Sequence, residues 1–156
     1  MISYTDMTSR LEILCEMYDK EQDVIRAQMI AKLAALEIGG WLEEYFDSEL
    51  LSYIQRNKPE CYKDMNDEIK QVYNFTYKDL KKLIIKMLGI MHMFDIEKEK
   101  AREVQLLSSS LGKIKDARDK AAHTSVSTTF SIAAPNLLKK EFENAHLNAE
   151  IIFAEL

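Results

Sequence analysis

Two side chains in this sequence have the types and spacing to act on a phosphodiester: Arg118 and, five residues on, His123. The series Val104, Leu107, Leu111 and Ile114 advances by threes and fours, and the next place in that alternation is held by Arg118, ahead of Ala121. An arginine is almost never fully buried without a partner. The apolar seam must therefore open to solvent at this point, or an acidic group or bound anion must meet the guanidinium, or the side chain snorkels past the end of the core. His123 stands where the helical pattern gives way to Thr124-Ser125-Val126-Ser127-Thr128-Thr129-Phe130-Ser131, a run of β-branched and hydroxyl residues that favours a loop. Imidazole titrates near neutral pH, and a helix C-terminus favours its charged form, so His123 can exchange a proton while Arg118 holds a phosphate. On an ideal helix the two lie about 140° apart, and they converge only if the helix end unwinds or Arg118 reaches around. The same C-terminal dipole repels an anion. A second Arg and His from a two-fold-related copy would double the positive charge, and a homodimer follows as an expectation.

Other candidates are weaker. Glu37 shares a face with Ile30, Leu33 and Trp41 and could be a buried acid that orients Arg118, or an edge carboxylate in water. His92 lies in Met91-His92-Met93-Phe94, where methionines at a helix end read as gap-filling core more than as metal ligands. His146 has no nearby His or Cys and is expected to be half exposed. Lys113, Lys115, Lys120, Lys139 and Lys140 could rim the Arg–His segment, but Asp116, Asp119 and Glu141 are interleaved with them, and a solvated mixed face is the expectation. Cys15 and Cys61 are far apart and lack ligand-spaced neighbours, so neither a disulfide framework nor a zinc site is indicated, and no metal or other cofactor is expected. No phosphate-binding glycine loop, supported Ser-His-Asp set or H-E-x-x-H segment is present.

The elements that must position these residues read as helices throughout. Four glycines and two prolines punctuate 156 residues, and apolar spacings of three and four fill the intervals. A first helix is expected over about Thr5 to Tyr18. A long second one carries Ile30, Leu33, Leu36, Trp41, Tyr45 and Leu51 and ends at Asn57-Lys58-Pro59. A weaker segment spans Tyr62 to Tyr73. Thr76-x-x-Asp79 then caps a helix striped with Leu80, Leu83, Ile84, Met87 and Met91. The next helix runs from about Ile96 to Ala122, and the last starts near Pro135 and repeats Leu138, Phe142, Ala145, Ala149, Ile152 and Leu156. This predicts an all-α, up-and-down bundle of about five to six helices formed by residues 1–156 as one domain.

Composition narrows the partners. A hydrophobic fraction of 47% and a charged fraction of 30% fit a globular chain without a membrane span. The first residues, Met1-Ile2-Ser3-Tyr4-Thr5-Asp6, lack a basic start and apolar stretch, so a cytoplasmic product is expected. A net charge of −5 argues against broad electrostatic grip on nucleic acid, leaving only local RNA contact.

Arg118-Asp119-Lys120-Ala121-Ala122-His123 resembles the Arg-x4-6-His motif of HEPN domains, in which a polar residue commonly follows the Arg and a small one precedes the His. Its place at the end of the penultimate helix is similar too. Ala34-Ala35-Leu36-Glu37 through Trp41-Leu42-Glu43-Glu44-Tyr45 resembles the early helix of RiboL-PSP-type HEPN domains, so the likeness covers most of the chain from about residue 25. The resemblance implies metal-independent RNA cleavage at a composite site across a homodimer, in many members within toxin–antitoxin or phage-defence systems with a cognate antitoxin protein as partner. It implies acid-base catalysis by His123, transition-state stabilisation by Arg118 and a supporting role for Asp119. Members paired with a minimal nucleotidyltransferase carry Arg-x4-His-x-Tyr, whereas this chain has Ser125 at the tyrosine position. Some members are non-catalytic modules that bind nucleotide, RNA or a partner protein, and that reading stays open beside the nuclease.

Overall fold

The computed structural model describes residues 2–72, 75–123 and 131–156. Among them lie seven α-helices and one short 3-10 turn: α1 (Tyr4–Lys20), α2 (Val24–Asn57), the turn Pro59–Cys61, α3 (Tyr62–Ile69), α4 (Tyr77–Leu88), α5 (Ile90–Glu99), α6 (Ala101–His123) and α7 (Pro135–Phe153). None is long and apolar enough to cross a membrane. The helix starts follow local chemistry. Ser3, Asp23 and Thr76 each accept a hydrogen bond from the backbone N–H three residues on, so the first-turn donors of α1, α2 and α4 are satisfied. Pro135 occupies the first turn of α7, where its missing N–H costs nothing.

The sequence pattern predicted five to six helices, and the difference lies between Gly89 and Lys100. Gly89 has φ of +90°, a region open to glycine, and separates α4 from α5. Lys100 then leaves helical geometry at φ −112° and ψ 34°, so the helix predicted from Ile96 to Ala122 is divided into the end of α5 and all of α6. The segment predicted over Tyr62 to Tyr73 is helical only to Ile69, and Tyr73 lies outside the described residues, as does the predicted Thr/Ser loop from Thr124 to Phe130.

Helices α1, α2, α6 and α7 form the body of the bundle, with α3, α4 and α5 against one end of α2 and α6. The core of α2 is built on Ala31, Ala34, Ala35, Ile38, Trp41, Leu42, Phe46 and Leu50. Leu33 and Leu36, which the apolar pattern assigned to the buried stripe, are 47% and 38% exposed. The small alanines take the seam instead because they let neighbouring helices close in, which turns the bulkier leucines outward. An aromatic group locks α1, α2 and α7 together: Phe142 lies edge-on to Trp41, Tyr4 stacks on Phe142, and Trp41 Nε1 donates to the Ile2 carbonyl at 2.9 Å.

Gly39 of α2 lies directly against the stem of Arg118 on α6. A β-carbon there would meet Arg118 Cγ at 2.9 Å and Phe75 at 3.4 Å, whereas one at Gly40 would meet nothing within 4 Å. The adjacent glycines should therefore respond oppositely. Gly40→Ala should stabilise the fold by up to about 1 kcal/mol through helix propensity. Gly39→Ala should destabilise it by about 1 kcal/mol, because overpacking outweighs that gain. Urea unfolding of the two variants beside the parent checks the sign at each position.

Candidate functional site at the end of helix α6

Arg118 leaves the seam of α6 in the direction of α2. Its Nη2 donates to Glu43 Oε1 at 3.0 Å, its Nη1 reaches Asp119 Oδ1 at 3.5 Å, and its Cζ lies 6.0 Å from the centre of the Phe75 ring. The guanidinium thus has an acidic partner yet keeps 27% of its side chain exposed. Burial pushes the Glu43 carboxyl above the usual carboxylate range, and attraction to Arg118 only partly offsets this. Asp119 is held below its ordinary value, first by its hydrogen bond from Lys115 and then, against some burial, by further attraction to Lys115 and Arg118.

Glu37 does not reach this point. It pairs with Arg10 at 3.8 Å and stays 42% exposed. The acid that orients Arg118 is Glu43, which lies about 120° round α2 from Glu37. The readable signal was the spacing from Gly39 to Glu43, a residue that allows close approach followed one turn later by a carboxylate.

His123 is the last residue of α6 and is exposed. The helix stays α-helical up to it, so the ring remains about 140° round from Arg118, and the two are not brought together within one chain by unwinding. Arg118 packs at Gly39, and Ile132 N donates to Gln28 Oε1, near the start of α2, at 3.0 Å.

Beside Arg118 opens a cavity of about 330 Å3 lined by Glu43, Asp47, Lys70, Phe46 and Phe75 among others. Asp47, one turn beyond Glu43, is half-buried, and among the described residues it has no hydrogen-bonding or oppositely charged partner. Burial, and then repulsion from Glu43, pushes its carboxyl up to about 6.

The remaining candidates take structural or surface places. His146, expected half exposed, is buried at 8%, stacked on Tyr4 with ring centres 4.0 Å apart, and burial lowers its pKa. It follows Phe142 by four positions on the inner face of α7, and the ring is accepted there because it packs as an aromatic. His92 is exposed, with Nε2 3.1 Å from the Glu155 carbonyl. The lysine rim is largely neutralised: Lys113 pairs with Glu141 at 2.6 Å, Lys120 with Asp116 at 2.8 Å, Lys139 with Glu12 at 3.1 Å, and Lys115 with Asp119. Cys15 and Cys61 are free thiols. Among the described residues no three His, Cys, Asp or Glu side chains converge as a metal site. No family model, curated protein or solved structure matches this chain.

Asp47 gives a pH signature. Its folded-state pKa is raised, so below the unfolded value of about 4 both states are protonated and the residue costs nothing. As pH rises through about 6 the folded protein must carry a half-buried, unpaired charge, and stability falls. Asp47→Asn should raise stability at pH 7 by about 1 kcal/mol, after discounting for its exposure, and leave it unchanged at pH 4. Thermal melts of both proteins across that interval test this.

Proposed function

We propose that the chain is a homodimeric endoribonuclease that works without a metal ion and uses Arg118 and His123 on RNA phosphodiesters. One observation carries the reading: Arg118 is gripped by Glu43 and Asp119 yet open to solvent and to a ligand-sized cavity, where a helix ends in an exposed His123. The resemblance of Arg118 through His123 to the HEPN motif supports it, and a defence or toxin role with a cognate antitoxin belongs to the same proposal.

The chemistry is transesterification. The ribose 2′-oxygen attacks phosphorus, the bond from phosphorus to the 5′-oxygen breaks, the 2′-hydroxyl proton passes to a base, and the leaving oxygen takes up a proton. The products are a 2′,3′-cyclic phosphate and a 5′-hydroxyl. His123 is suited to the proton transfers, because imidazole both accepts and donates near neutral pH. Arg118 offers a planar fork of donors for the charge that builds on the phosphoryl oxygens.

A second copy is needed to set a His123 beside an Arg118, since within one chain they face different ways. The surface for it lies on α2. Ile25, Met29, Leu33 and Leu36 are between 38% and 55% exposed at spacings of four, four and three, and Ile13 and Met17 are exposed on the adjoining α1. Large exposed apolar patches mark association surfaces. The same face of α2 continues seven residues beyond Leu36 to Glu43, so a copy covering the stripe arrives beside the Glu43–Arg118 pair.

A non-catalytic module that binds nucleotide, RNA or protein is the second reading, and the Arg118–Glu43 pair favours it because that contact also suits a structural arginine.

The purified protein should cleave single-stranded RNA in EDTA, and Arg118→Ala and His123→Ala should each lower the rate by about 100-fold or more. Arg118→Ala should cost about 1 kcal/mol of stability, as a partly exposed pair does. Cleavage that survives both substitutions removes the assigned roles, and a loss of several kcal/mol on truncating Arg118 favours the module. Leu33→Glu should shift the protein to monomer in sedimentation and abolish cleavage with it. An active monomer would remove the need for the second copy.

A further inference from the structure

The cavity beside Arg118 is too well furnished to serve only as a gap between helices. Its walls include the buried side chains of Phe46, Phe75, Leu80 and Leu83, and its polar lining is Glu43, Asp47, Lys70 and Arg118, with no hydrogen bond or ion pair between Lys70 and Asp47. At about 330 Å3 it lies at the small end of the range for ligand pockets, which suits one flat heterocycle and little more. Its carboxylates differ in what they already hold. Glu43 is engaged by Arg118, whereas Asp47 has no donor among the described residues although it is half-buried. Its oxygens still reach solvent through the cavity, and a half-buried carboxylate without protein donors is free to accept hydrogen bonds from a ligand in place of water.

Building on the nuclease reading, we propose that this cavity is a nucleobase subsite that selects guanine, with Asp47 accepting from the Watson–Crick edge while the attached phosphate lies at Arg118. An ionised carboxylate accepts and cannot donate. Guanine alone among the four RNA bases offers two adjacent donors on that edge, N1–H and the N2 amino group, and so fills both oxygens of one carboxylate. Adenine and cytosine each set an acceptor beside their amino group, and uracil flanks its single N–H with carbonyls. Each of those leaves Asp47 partly unsatisfied or brings a lone pair against it. The apolar walls match the faces of an unstacked base, as single-stranded RNA recognition requires. Arg118 lies on the same cavity as Asp47, and Asp47 is one helical turn from Glu43, the residue that holds Arg118. One nucleotide can therefore meet the carboxylate with its base and the guanidinium with its phosphate. Asp47 in this scheme is a specificity-determining residue.

The test is direct binding, read independently of cleavage. The dimensions of the effect follow from titrating the protein at pH 7.5 with guanosine, adenosine, cytidine and uridine 3′-monophosphates by calorimetry. Guanosine monophosphate should bind about tenfold or more tightly than the other three. Asp47→Asn, which keeps the shape but replaces one acceptor by a donor, should bring the four to within about threefold of one another. Four equal affinities, no binding up to about 10 mM, or a guanine preference that persists in a folded Asp47→Asn would overturn the proposal. Guanine-selective binding without any RNA cleavage in EDTA would keep the subsite and remove the nuclease. Cleavage in EDTA without selective binding would keep the nuclease and remove the subsite.

Discussion

Helices α2 and α6 meet where Gly39 makes room for the stem of Arg118, and the rest of the candidate site depends on that contact. With a β-carbon at residue 39 the arginine could not lie as it does, since its Cγ sits 2.9 Å from where that atom would be. The absence of a side chain lets the guanidinium turn along α2 to Glu43 and open onto the cavity with Asp47. The contact also explains how a cation is tolerated in an otherwise apolar seam. It is neither fully desolvated nor free, because a carboxylate meets one side and solvent the other.

Charge around the site is balanced locally, which fits a chain with an overall charge of −5. The nearby lysines are mostly occupied by carboxylates of their own or neighbouring helices. Any nucleic acid bound here gains little from long-range attraction and must be recognised by close contact. That constraint makes a shaped cavity with an acceptor that no described side chain occupies the more informative feature of the surface.

Much of the fold was legible in the sequence because it is written in local chemistry. Thr76 caps α4 as the Thr76-x-x-Asp79 spacing indicates, Pro135 opens α7, and Val104 through Ala121 lies within one helix. Arg118 stood out as the one residue breaking its own stripe. The partner of Arg118 left only the faint signal of the Gly39-to-Glu43 spacing, because pairing across helices depends on which residues of α2 face α6, and that was set by Ala31, Ala34, Ala35 and Gly39, residues whose small size carries little hydrophobic signal. The same ambiguity put Leu33 and Leu36 inside when they lie outside, and left His146 half exposed when it is buried within an aromatic group. Asp47 offered no pattern at all, since a lone acid in a helix reads as solvated until the walls around it are known.

Helix α2 runs unbroken for 34 residues, a rod of about 50 Å at 1.5 Å per residue. It carries the outward leucines near its beginning and both cavity carboxylates beyond its middle. A continuous helix resists bending, so a load applied at one of those places is delivered to the other as tilt or axial shift, not absorbed between them. In the proposed dimer, a copy seated on the apolar end and a ligand in the cavity would bear on the same rod, which rests against α6 at the bare backbone of Gly39.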